Sequence, residues 1–96
     1  MTSRDPARAV LAACAKLLGP LDHVITESRP WSSATFDGAR HVLRFTAAAS
    51  DSFAAAISEL QIDIRRGFVA DVAVTGQEQA EGVTSYLVEA LTIEEG

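Results

Sequence analysis

Few residues in this chain are able to do chemistry. The histidines are His23 and His41, the one thiol is Cys14, and carboxylates gather late in the chain as Glu78, Glu81, Glu94 and Glu95. His41 is the strongest candidate, because an imidazole titrating near neutrality serves as a general base when it stands at the mouth of a pocket. The competing account is a hydrogen-bonded histidine at the edge of the core. Asp22-His23 sets two metal-ligand types side by side, but a neighbouring pair is not a ligand set, and a surface turn explains it more simply. Cys14 would need an exposed, electropositive setting to act as a nucleophile, whereas its spacing puts it on the buried stripe of a helix. Glutamates do acid–base work only where something fixes their separation, and nothing in the sequence does. The chain holds no glycine-rich phosphate loop, no metal-ligand spacing and no nucleophile elbow, so neither a cofactor nor a metal is expected.

Composition narrows the classes further. Ninety-six residues make one α+β domain, 1–96, and a hydrophobic share of 48% argues against disorder. A net charge of −5 repels phosphate, so nucleic acid is not an expected partner, although Arg29, Arg40 and Arg44 form a local basic patch. A single cysteine can form no intrachain disulfide, which favours a reducing compartment. Leu11-Ala12-Ala13-Cys14 resembles a lipoprotein lipobox over those four residues only. The stretch before it contains Asp5 and Pro6 and lacks the apolar run that a signal requires. No run approaches membrane-spanning length. The expectation is a cytoplasmic protein without a membrane partner.

The elements that must position these groups follow from capping and periodicity. Asp5-Pro6 starts a helix, Val10, Cys14, Leu17 and Leu18 recur at helical spacing with Leu11 beside them, and Gly19-Pro20 ends it. The predicted helix is 6–18. Residues 21–29 read as a linker with a short extended piece, because Pro30 restricts Arg29 and lacks a donor. Asp37-Gly38 suits the two centres of a type I′ turn and predicts a β-hairpin over 31–46. That register puts Ser32, Ala34, Phe36, Ala39, His41, Leu43 and Phe45 on one face, and Trp31, Ser33, Thr35, Arg40, Val42 and Arg44 on the other. After a cap at Ser50 or Asp51, Phe53, Ile57 and Leu60 mark a second helix ending near Leu60. Residues 61–66 stay open, 68–75 read as a strand, 76–82 as a polar loop, and 83–93 as a last strand apolar on both faces.

Helix, hairpin, helix, hairpin predicts a two-layer α+β sandwich, with two helices on one face of a four-stranded antiparallel sheet. Its order αββαββ is that of a ferredoxin-like fold with the first strand moved to the end. Strands 40–46 and 83–93 would be central, and 31–36 and 68–75 would be edges. Two helices cover one face only. The uncovered face would hold Trp31, Arg40, Val42 and Arg44, with Tyr86 a further anchor type. Trp31 opposite Arg44 would form a cation–π pair, and Asp71 or Glu89 would meet the arginines across a two-fold axis. The leading expectation is therefore an association module forming a homodimer through this face, with a small ligand in a helix–sheet gap. The alternative is a small enzyme or ligand-binding domain with a pocket at His41.

Overall fold

Local signals build the first helix as the sequence predicts. Asp5 accepts a hydrogen bond from the Ala7 backbone N–H at 3.0 Å, Pro6 opens α1 (Pro6–Leu18), and Gly19 at φ 85° closes it by donating to Ala15. The buried stripe lies one turn earlier than the leucine spacing suggests: Ala7, Val10, Ala13 and Cys14 are covered, while Leu17 is exposed. The chain then forms β1 (Asp22–Ser32), β2 (Asp37–Ala47), α2 (Phe53–Glu59), β3 (Asp63–Ile64), β4 (Gly67–Ala80) and β5 (Val83–Glu94). This computed structural model describes residues 5–94; the expected tail Met1 to Arg4 and the terminal Glu95 and Gly96 lie outside the described residues.

The four-stranded sandwich is not what forms. The strands make one five-stranded antiparallel sheet in the order β1-β2-β5-β4-β3, curled into a half-barrel, and strand outweighs helix in the chain. Three segments account for the difference. The expected linker becomes the 11-residue β1, whose Pro30 is tolerated because β1 is an edge strand. Residues 63–64 add the short β3 at the opposite edge. The expected loop 76–82 is mostly strand, so that β4 runs for 14 residues before a two-residue turn at Glu81 and Gly82. Register shifts between Asp22 and Ile25, Val69 and Asp71, and Val74 and Gly76 supply the bulges that bend long strands and increase their twist.

The first hairpin keeps its faces but not its turn. Ser32 pairs with Asp37, leaving a loop of Ser33 to Phe36. The Ser33 hydroxyl accepts from the Phe36 N–H at 3.0 Å, and the Ser33 N–H donates to the Phe36 carbonyl at 2.8 Å. Gly38 sits in β2 for another reason: a Cβ there would lie 2.1 Å from the Thr92 carbonyl oxygen and 3.0 Å from the Trp31 ring. The type I′ conformation appears instead at Glu81 (φ 54°) and Gly82 (φ 79°), between β4 and β5.

Both helices pack on one face. The core there joins Val10, Ala13 and Cys14 of α1 and Phe53 and Ile57 of α2 to Leu43, Phe45, Val72, Val88 and Ala90 of the sheet. Phe45, Phe53 and Tyr86 form an aromatic trio with ring centroids 5.1 to 6.4 Å apart. The Tyr86 hydroxyl donates to the Ala48 carbonyl and accepts from the Ser50 N–H, which ties the β2–α2 connector to the sheet.

Candidate functional site

The face away from the helices can be read row by row from the strand pairing. Across β1, β2, β5 and β4, one row is Trp31, Gly38, Ile93 and Phe68. The next is Arg29, Arg40, Leu91 and Asp71; then Glu27, Val42, Glu89 and Ala73; then Ile25, Arg44, Leu87 and Gly76. Beyond them Thr46, Ser85 and Glu78 continue the series. The arginines therefore stand on β1 and β2, and Asp71, Glu78 and Glu89 stand on β5 and β4. Between them runs an apolar midline of Val42, Leu87 and Leu91, each half-buried, with Ile25 and Phe68 exposed toward the flanks. On the basic side Glu27 lies 3.9 Å from Arg29, an exposed pair that contributes little.

Trp31, Arg40, Val42 and Arg44 lie on this open face, as the alternation predicts. Trp31 and Arg44 are not opposite each other. Trp31 pairs with Gly38, and Arg44 stands six positions further along β2, about 20 Å away at the ordinary strand rise, which removes the cation–π pair. The Trp31 ring lies over Gly38, and its Nε1 is buried without a hydrogen-bond partner among the described residues. Tyr86 belongs to the helix face, 2% exposed in the aromatic trio, and is not part of the open face. Phe36, expected in the core, is half-exposed in the loop.

His41 is 2% exposed on the helix face, and it does not line either of two surface depressions. One, of about 310 Å³, is a helix–sheet gap at the end of α2 bordered by Leu60, Ile62, Asp63 and Val69. The other, about 400 Å³, lies on the open face between His23, Arg44, Glu78 and Ser85. His41 is instead held by two hydroxyls. Its Nδ1 is 2.7 Å from Ser28 Oγ and its Nε2 is 3.0 Å from Thr92 Oγ1. Thr92 Oγ1 donates to the Ala39 carbonyl at 3.3 Å, so its proton is already committed. With its proton on the Ala39 carbonyl, Thr92 accepts from His41 Nε2–H and Nδ1 accepts from the Ser28 hydroxyl; the other tautomer reverses both bonds. Burial pushes the His41 pKa below its ordinary value, against a smaller upward pull from the Asp5 carboxylate at the start of α1. Ser28 and Thr92 escape sequence reasoning. The only signal is that Thr84 and Thr92 interrupt an otherwise apolar alternation through Tyr86, Val88 and Ala90.

Cys14 is fully buried, and desolvation pushes its thiol up to about 12, so it is no nucleophile. His23 sits at the β1 bulge with φ 53°. No group of three or more His, Cys, Asp or Glu residues able to hold a metal occurs among the described residues. No family model, curated protein or solved structure matches the chain. Among the described residues no helix is long and apolar enough to cross a membrane.

Proposed function

We propose that this chain works by associating with a second copy of itself through the open sheet face. The observation that carries the reading is the partition of charge across that face, with Arg29, Arg40 and Arg44 on β1–β2 and Asp71, Glu78 and Glu89 on β5–β4. A two-fold axis running along the strands, between β2 and β5, lays β1 of one copy over β4 of the other and β2 over β5. Arg29 then meets Asp71 of the second copy, the Arg40 and Arg44 stems lie along Leu91 and Leu87, and the midlines close on each other. Apolar contact supplies the association energy, and the charges fix orientation and reject wrong pairings. A cytoplasmic setting belongs to this proposal and is supported by the single, buried Cys14.

Sedimentation equilibrium with the wild-type chain tests the reading. Twice the monomer mass is expected. Arg29→Asp or Asp71→Arg alone should weaken the dimer by roughly tenfold, on the scale of a close interfacial charge pair, and combining them should restore it. A wild-type monomer at every concentration, or a dimer indifferent to both charge reversals, overturns the proposal.

A further inference from the structure

We infer that Ser28 is a nucleophile for acyl transfer from small activated esters, with His41 as its general base and Thr92 as the residue that positions His41. In the Nε2-protonated tautomer, which the contacts permit, the Ala39 carbonyl takes the Thr92 proton, Thr92 Oγ1 takes the Nε2 proton, and the Nδ1 lone pair faces Ser28 Oγ, 2.7 Å away. A histidine held from behind and bonded to a hydroxyl in front is the arrangement that activates serine. Its asymmetry is informative as well. The base and its support are buried, at 2% and 1% exposed, while Ser28 is exposed on the edge strand, where an electrophile can arrive. Water would satisfy the exposed Ser28 hydroxyl equally well; the bond serves the buried His41 Nδ1 and at the same time places Ser28 Oγ for deprotonation.

The step conserves atoms and electrons. A lone pair of Ser28 Oγ forms a bond to the ester carbonyl carbon, the Oγ proton passes to His41 Nδ1, and the carbonyl π pair moves onto oxygen. That pair then returns, the bond from carbon to the leaving oxygen breaks, and the departing alkoxide takes the proton from Nδ1. The products are an O-acyl Ser28 and a free alcohol, with His41 restored to its starting tautomer. N–H groups on the free side of an edge strand stay unpaired and can face the developing oxyanion. Neither the gap at the end of α2 nor the depression beside His23 borders Ser28, which stands exposed on the edge strand, so the substrate proposed is a small ester that needs no enclosing pocket. Ser28 and His41 lie on the helix face, so this site and the proposed dimer face stand or fall separately.

Incubation of the full chain with p-nitrophenyl acetate, followed by peptide mapping, decides the matter. One acetyl group is expected on Ser28, with nitrophenol release that Ser28→Ala abolishes and Ser33→Ala leaves unchanged. His41→Gln should slow acetylation at least about 100-fold, the scale of a lost general base. Thr92→Val should slow it less and keep the fold, as judged by circular dichroism. Acetylation spread evenly over Ser28, Ser32 and Ser33 overturns the inference, as does an unmodified Ser28. A Ser28 that reacts equally well in folded His41→Gln or Thr92→Val protein also overturns it.

Discussion

At the scale of single residues, His41 shows how one polar group inside a core is made tolerable. A buried imidazole without partners would cost a large part of this domain's margin. Here both ring nitrogens are satisfied by hydroxyls from neighbouring strands, so His41 fastens β1 to β2 and β5. The same burial sets a pH dependence. Unfolded, the imidazole titrates near its ordinary 6.5; folded, it titrates lower, because desolvation disfavours the cation more than Asp5 favours it. Below 6.5 the unfolded chain therefore binds a proton that the folded chain does not, and stability falls as pH falls toward the folded value. Above 6.5 the contribution is fully present. Urea midpoints taken between pH 7.5 and 5.5 should decline for the wild type and decline less for His41→Gln. Equal declines would show that other groups set the slope.

At the scale of elements, Gly38 and Gly82, each preceded by an acidic residue, behave oppositely. Gly82 follows Glu81 in a tight hairpin where both residues have positive φ, and only the second pays no steric penalty. Gly38 follows Asp37 inside a strand, where the Thr92 carbonyl and the Trp31 ring leave no room for a methyl group. Gly38→Ala should destabilise by about 2 kcal/mol or more, since backbone would have to move. Glu81→Asn should stabilise by up to about 1 kcal/mol, because Asn tolerates the left-handed region better. Denaturant unfolding of the two variants measures both, and a harmless Gly38→Ala would refute the close approach. These glycines also show why part of the fold could be read from the chain and part could not. Asp-Pro and Gly-Pro bracket α1 without ambiguity, and its bounds were legible. Asp37-Gly38 looks like a turn because packing between strands leaves no trace in a dipeptide. The true register nevertheless differs from the predicted one by six residues, an even number, so Trp31 still shares a face with Arg40, Val42 and Arg44, away from His41, Leu43 and Phe45. β1 was hidden because an edge strand exposed on both faces carries no hydrophobic alternation. Gly76 and the polar residues after it made the last five of the fourteen residues of β4 resemble a loop. Of the candidate site, the arginines and Trp31 were legible from alternation alone, while the Ser28 and Thr92 partners of His41 required the strand order.

At the scale of the whole molecule, the helices do not support the sheet evenly. Their main packing is on β2, β3, β4 and β5, not on β1, and the buried core residues of the sheet come from β2, β4 and β5. β1 has ten exposed positions and one half-buried position, and is held by its ladder with β2 and by the Ser28 hydroxyl. The molecule is correspondingly long, 46 Å by 23 by 21 Å, with the hairpins running along the long axis. Local opening free energies follow buried contacts, so β1 should be the first strand to detach. In hydrogen exchange, peptides covering 22–32 should lose protection well before those covering 83–94, which should exchange only with global unfolding. The comparison also distinguishes two ways for copies to meet. Stacking through the open face covers side chains and leaves the outer N–H groups of β1 in water, so β1 stays fast in the dimer. Pairing edge to edge through β1 would continue the sheet into the second copy and bring β1 protection up to that of β5. Fast exchange of β1 in a chain that sediments as a dimer would support the stacked arrangement. Slow exchange there would move the association from the sheet's face to its edge.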